Sequence, residues 1–294
     1  MKNSGGIMSK PLLFQSDFGL SDGAVAAMKG VAYGVDPDLS IFDLTHEIPQ
    51  FDVWEGSYRL LQTVPYWPEN TVFVSVVDPG VGTDRKSVVA HTQGNQFIVT
   101  PDNGTLTHLK KHVGIVEIRE IDENVNRLPN SGESYTFHGR DVYAYTGARL
   151  AAGVIAFEEV GPLLSVDNIQ VLYNPDPTME NDCISGTIDV QDVRYGSLWS
   201  NIPRSLFLKL GVKPGEAVRV SISNMRKTFY EHNVVYARSF AQVSIGEPLI
   251  YINSLDNVGL AINLGNFSRA YNIGKGTDWQ MTLRKVEEKQ IAGF

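Results

Sequence analysis

The stretch TVFVSVVDPGVGTDR, residues 71–85, decides how the first half of the chain is read. Its apolar, largely β-branched run (72–77) stops at Asp78, and Pro79-Gly80 ends any strand at once. A continuous run of that kind predicts a strand buried on both faces. Such a strand delivers Asp78 to the carboxyl-terminal edge of a sheet, where open α/β folds bind ligands. Asp-Pro-Gly is also ordinary turn chemistry, so the acid gains meaning only if others stand at similar places.

Around this stretch, strand-like and helix-like segments alternate. Residues 11–16 (PLLFQS) and 40–48 read as strands, and 23–35 as a helix. Residues 52–64 form an amphipathic helix offering Val53, Tyr58, Leu60 and Leu61 to a core. Strands follow at 86–92, 96–100 and 113–121, with a turn at Asp102-Asn103-Gly104 and a helix over 140–152. The alternation predicts a mostly parallel sheet with helices on its faces, an N-terminal α/β domain over 11–172. Residues 173–182 (YNPDPTMEND) have the polar, proline-containing character of a linker. Beyond it the segments are short and strand-like, at 184–190, 217–223, 228–237, 249–252 and 280–283, with helical turns only at 203–210. That spacing predicts a small β-barrel or sandwich domain over 183–294.

The bulk numbers exclude several functions. At 294 residues, 43% hydrophobic and 20% charged, the chain has material for one large or two ordinary cores. A net charge of −8 with no basic run argues against a nucleic-acid partner. The single cysteine, Cys183, allows neither an intrachain disulfide nor a thiolate zinc site. The first ten residues lack the apolar segment of a signal peptide, and no stretch approaches the ~20 apolar residues of a membrane span. A soluble, cytoplasmic protein is the expectation.

Acids recur at strand ends and helix starts. Asp17 follows the first strand in Ser16-Asp17-Phe18-Gly19, where a carboxylate can accept both hydroxyls of a ribose. Asp22 precedes a helix, a place where capping is the simpler explanation. In Phe137-His138-Gly139-Arg140-Asp141, Gly139 lets the backbone turn sharply and sets His138 at a helix entrance. Asp141 is then an N-terminal helix acid, and His138 either a structural or a working imidazole. Familiar signatures are missing: no dinucleotide fingerprint, no phosphate loop, no GxSxG elbow and no HExxH.

Taken together, SDFGLSDGAVAAMKG (16–30), DVWEG (52–56), the 71–85 stretch, TPDNGTL (100–106), TFHGRDVYAY (136–145) and YGSLWSNIP (195–203) resemble one family. It is that of the S-adenosylmethionine (SAM) hydroxide adenosyltransferases, adenosine-forming SAM hydrolases related to the fluorinases and chlorinases. The resemblance runs from about residue 11 to the C-terminus, in order. It implies an α/β domain followed by a β-barrel, and a homotrimer whose ligand lies between the N-domain of one subunit and the C-domain of its neighbour. It further implies that Asp78, Arg85 and His138 form a catalytic triad around the attacking water. Asp17 would hold the ribose, and Asp22 with Asp192 the methionine ammonium. Phe51, Tyr195 and Phe240 would pack on the adenosine, Trp199 would stand near the same wall, and Ser254 would touch the methionine end.

The implied chemistry needs no metal and no cofactor, since the sulfonium of SAM is already a good neutral leaving group. Arg85 and a protonated His138 would stabilise hydroxide, in a pocket of Phe and Tyr that favours charge-destroying attack. The halogenating relatives carry tyrosine at the Asp78 position, and a carboxylate there repels a halide and suits water. The fluorinase also has a serine at Gly139 and an extra loop after Arg85. Ser197 replaces an asparagine that reads adenine, and Leu255 an arginine near the methionine carboxylate. Three alternatives remain: a halogenase of the same fold, a non-catalytic SAM-binding protein, and a metal-dependent phosphoesterase using His46 and His138.

Overall fold

The computed structural model describes residues 10–132 and 135–286. The chain divides after Leu172 into two compact units, each with its own core.

The N-terminal unit contains β1 (Leu12–Ser16), α1 (Ala24–Val35), β2 (Ile41–Thr45), α2 (Val53–Thr63), β3 (Val72–Val76), β4 (Ser87–Thr92) and β5 (Phe97–Pro101). It continues with α3 (Thr107–His112), β6 (Ile115–Glu120), a π-helical turn (Gly139–Ala144), α4 (Tyr145–Ala151) and β7 (Leu163–Leu164). The sheet order is β2-β1-β3-β5-β4-β6-β7. Strands β2, β1, β3 and β5 pair in parallel; β4 and β7 run against the rest. The expected mostly parallel sheet is therefore present.

β1, β3 and β5 are buried at every residue, as runs without alternation require. Successive residues nevertheless go to opposite faces. Leu12, Phe14, Val72, Val74 and Val99 pack with Met28 and Ala32 of α1 and Ala148 of α4. Leu13, Phe73 and Ile98 pack on the other face with Leu60 of α2 and Leu109 of α3. Helix α4 lies so close to the sheet that a Cβ at Gly147 would stand 2.4 Å from Val74 Cγ2. The chain enters α2 through Asp52, whose Oδ1 accepts the N–H of Glu55 at 2.8 Å.

The C-terminal unit contains β8 (Thr178–Glu180), β9 (Cys183–Gln191), β10 (Leu198–Pro203), α5 (Arg204–Phe207), β11 (Ala217–Asn224) and β12 (Lys227–Tyr236). After these come β13 (Pro248–Ile252), β14 (Asn257–Ile262), α6 (Phe267–Tyr271) and β15 (Gly276–Lys285). The order β10-β14-β13-β12-β11-β15-β9, with β9 pairing back onto β10, closes a seven-stranded barrel. Ile188, Leu198, Val220, Ile222, Leu260 and Met281 fill it. β8, which lies within the stretch that reads as a linker, adds to β9.

Where α2 meets α3, His108 is fully buried. Its Nδ1 lies 2.9 Å from Ser57 Oγ, and Trp54 and Tyr58 meet its ring edge-on at 4.6 and 5.4 Å. Burial, then the charges of His112 and Lys111, pushes its pKa from 6.5 down to about 3. Between those values the unfolded chain holds a proton that the folded chain refuses. Stability is thus full above about pH 6.5 and falls as the pH drops, by up to about 1.4 kcal/mol per pH unit from this residue. Denaturant unfolding followed through Trp54 fluorescence between about pH 7 and pH 4.5 should show that slope, and His108→Gln should flatten it. An unchanged slope would place the acid sensitivity elsewhere.

Candidate active site

From β1 the chain moves outward to β2 on one side, then returns to place β3 on the other. α1 covers one face and α2 the opposite face. The boundary between β1 and β3 is therefore a topological switch point, the place where crossovers diverge and leave a crevice. Asp17 directly follows β1 and Asp78 lies two residues beyond β3, so the two carboxylates flank that crevice. A cleft of about 420 Å³ opens there, with Asp17, Asp22, Phe51, Asp78 and His138 among its lining residues.

Asp78 and Arg85 are joined by a fork of hydrogen bonds. Arg85 Nε donates to Oδ1 at 2.9 Å and Oδ2 at 3.0 Å, and Nη2 donates to Oδ2 at 2.5 Å. Both side chains are nearly buried, 6% exposed for Asp78 and 10% for Arg85. Arg85 Nη1 donates to Ser87 Oγ at 3.1 Å, which is itself 3.1 Å from the Tyr143 hydroxyl. Burial acts against the Arg85 charge, and the Asp78 hydrogen bonds and charge more than restore it. Burial also pushes the Tyr143 hydroxyl far up, so it stays neutral. The Val77 carbonyl just before Asp78 accepts from Asn103 Nδ2 at 2.9 Å, which ties the Asp-Asn-Gly turn to this loop.

His138 is buried, with Arg85 Nη2 2.9 Å from its Nδ1. On its other side Arg127 Nη2 lies 3.0 Å from Nε2. Burial, opposed by Glu123 and assisted by Arg85 and Arg127, lowers its pKa below the usual 6.5. Against the expectation of a protonated His138, burial and the two cationic donors that face the ring disfavour its charged form. Gly139 opens the π-helical turn without a positive φ. Its role is clearance: a Cβ would come within 3.1 Å of the Phe18 ring and 3.2 Å of the Phe137 ring. Asp141 is fully buried against Arg140, Oδ1 to Nε at 2.7 Å.

Asp17 Oδ2 accepts the backbone N–H of Phe51 at 2.8 Å. Phe51 holds a left-handed φ of 66°, a costly conformation for a bulky residue, and the residue is 68% exposed. Behind Asp17, Ser16 Oγ lies 2.7 Å from His46 Nδ1, and His46 Nε2 lies 3.0 Å from Asp43 Oδ1. The His46 carbonyl accepts the N–H of Gly19 at 2.8 Å. His46 thus fixes the loop that carries Asp17. Both ring nitrogens of His46 face protein partners, and among the described residues no group of three or more His, Cys, Asp or Glu is arranged to hold a metal ion. Asp22 stands before the first turn of α1, its Oδ1 accepting the N–H of Ala24 at 2.9 Å, and lines the cleft.

The remaining expected residues belong to the barrel unit. Tyr195, Ser197 and Phe240 line a cavity of about 670 Å³ there. Asp192 organises the turn before it, its Oδ1 accepting the N–H groups of Arg194 (2.9 Å) and Tyr195 (2.8 Å). Trp199 is buried behind, its Nε1 donating to the Tyr251 hydroxyl at 2.9 Å. Ser197 also hydrogen-bonds Tyr251, and Phe240 packs on that ring at 5.2 Å. Ser254 sits exposed in the turn from β13 to β14 and lines neither cavity. Arg127, Glu123 and Tyr251 are absent from the sequence-based set. None belongs to a spacing motif, and Tyr251 reads as a core aromatic.

Comparison with known proteins identifies the family. The model of the SAM hydroxide adenosyltransferase N-terminal domain matches residues 12–161, and that of the C-terminal domain residues 186–280. The chain belongs to the SAM hydroxide adenosyltransferase family and is an enzyme. An (R)-S-adenosyl-L-methionine hydrolase of Salinispora arenicola is 34% identical over 276 residues, 92% of this chain and 96% of that protein. A fluorinase of an Actinoplanes species is 31% identical over 289 residues, 90% of this chain and 95% of that one. The crystal structure of an uncharacterized protein from Thermotoga maritima, 35% identical, superposes with a TM-score of 0.83 over 93% of this chain and all of that one.

The ion pair gives a stability test. Asp78→Ala should cost about 3–5 kcal/mol, because it strands a nearly buried guanidinium. Replacing both residues, Asp78→Ala with Arg85→Met, should recover much of that loss in the same denaturation experiment. Equal losses for single and double variants would mean that the pair is not energetically coupled.

Proposed function

We propose that this enzyme hydrolyses SAM to adenosine and methionine, with water or hydroxide displacing the sulfonium at ribose C5′. The observation that carries the reading is the Asp78–Arg85–His138 chain on the wall of the switch-point cleft. Asp17 holds the ribose hydroxyls through the oxygen not committed to Phe51, and Phe51 covers the nucleoside. Asp22 and Asp192 meet the methionine ammonium. Tyr195, Ser197, Trp199 and Phe240 form the adenosine wall, and Ser254 the methionine end. Relatives named hydrolase and fluorinase match to similar extents, and Asp78 separates the two outcomes. A carboxylate beside the nucleophile disfavours a halide and tolerates water.

The triad divides the work by charge. Arg85 lowers the free energy of a developing hydroxide, and Asp78 fixes the guanidinium for that purpose. Both Asp78 oxygens are already committed to the Arg85 guanidinium. The proton from water therefore goes towards His138. No metal or second cofactor is required, since the leaving group departs as a neutral thioether. The active assembly is a homotrimer in which the N-terminal unit of one copy and the barrel unit of another share a substrate. The same reading places the enzyme in the cytoplasm; among the described residues no helix is long and apolar enough to cross a membrane.

Purified protein with SAM in oxygen-labelled water should yield adenosine labelled at its 5′-oxygen, unaffected by chelator or halide. Bound but unconverted SAM would leave a binding protein, and a halide-dependent product a halogenase. The rate should fall on the acid side with an apparent pKa below 6.5, since protonation removes the base. Asp78→Asn should lower kcat by roughly 100-fold or more. Co-expressing Asp78→Asn chains with Tyr195→Ala chains should restore activity that neither variant has alone. If activity stays absent while mixed trimers form, the shared-site assembly is wrong.

A further inference from the structure

His138 is held by two arginines, and only one belongs to the triad. Arg85 reaches Nδ1 and Arg127 reaches Nε2, at 2.9 and 3.0 Å. A guanidinium has donors only, so each contact asks the imidazole for a lone pair. A neutral ring has one lone pair in its plane, and a protonated ring has none. Adding a proton would turn two N–H groups towards two cations.

Arg127 is itself anchored. Its Nη2 and Nε donate to Glu123 Oε2 at 2.7 and 3.2 Å, and its guanidinium lies 4.9 Å from the Tyr135 ring centre. The N–H of Leu128, the next residue, donates to the Asp141 carbonyl at 2.8 Å, inside the π-turn that follows His138. The segment bearing Arg127 and the turn bearing His138 are thus joined by backbone as well as by side chain. The side chain of Arg127 is only 10% exposed. The ring has a cation on each side and an acid behind each cation: Glu123, Arg127, His138, Arg85, Asp78. Tyr135 adds a ring edge 6.1 Å away.

We propose that Arg127 is a positioning residue for the reaction: from the far side of the imidazole it holds His138 fixed in plane and neutral. The use of His138 as a proton acceptor rests on the hydrolase reading; the clamp on the ring does not. The direction of the His138 shift agrees, with burial first and both arginines acting to keep the proton off.

The test is a nitrogen NMR titration of His138 in histidine-labelled protein without substrate, beside the pH profile of kcat. In the unaltered protein His138 should stay neutral to below pH 6.5. Arg127→Gln should raise its midpoint by about one pH unit, and Arg127→Lys, which keeps the charge, should leave it low. The acid limb of kcat should move with the NMR midpoint. A midpoint unmoved by Arg127→Gln overturns the proposal, even if activity falls, because a merely structural role would behave that way. Should Arg127→Gln fail to fold, Glu123→Gln reads the opposite sign: removing that negative charge must lower the midpoint, and no change overturns the clamp. If the NMR shifts occur while SAM is not hydrolysed, the clamp stands and the hydrolase reading falls.

Discussion

An arginine taken almost wholly out of water needs a compensating charge in direct contact, and here Asp78 supplies it. That pairing fixes the conformation of 78–85, because the two residues must meet across the loop between β3 and β4. Once Arg85 is fixed, its remaining donors are fixed too, one to Ser87 and one to His138. The Tyr143 hydroxyl bonded to Ser87 carries the same network into the π-turn. The geometry of the cleft wall is therefore set by one ion pair.

Supports run outward from the cleft on both sides. Asn103 holds the backbone before Asp78, His46 holds the loop after β1, and Asp17 holds Phe51 in its left-handed conformation. Each is a polar group placed where strands stop and backbone amides and carbonyls lose their sheet partners. The clearance at Gly139 belongs to the same economy of space, since two phenylalanine rings close over a position without a side chain.

The parts legible in the sequence were those with one strong cause. β1, β3 and β5 announce themselves because a strand covered on both faces needs an unbroken apolar run, and Asp17 and Asp78 mark where those runs stop. β10 does not, since Ser200 and Asn201 break its pattern; both satisfy backbone carbonyls, of Val258 and Pro175. α3, six residues long, carries too little periodicity to see. Arg127 and Glu123 were invisible for a different reason: a loop arginine looks solvated until the fold brings an imidazole to it. The charge state of His138 likewise depends on neighbours that are distant in sequence.

Barrel closure has a further consequence. A ring of strands has no first or last member, so its backbone offers little free margin on which another chain could grow. The open sheet of the N-terminal unit ends in β7, two residues long, and in β2, where Asp43 pairs with Lys29. A stub and a charged rim are poor templates for runaway strand addition. Neither edge of that sheet presents the long, flat, uncharged strand that invites another chain to pair.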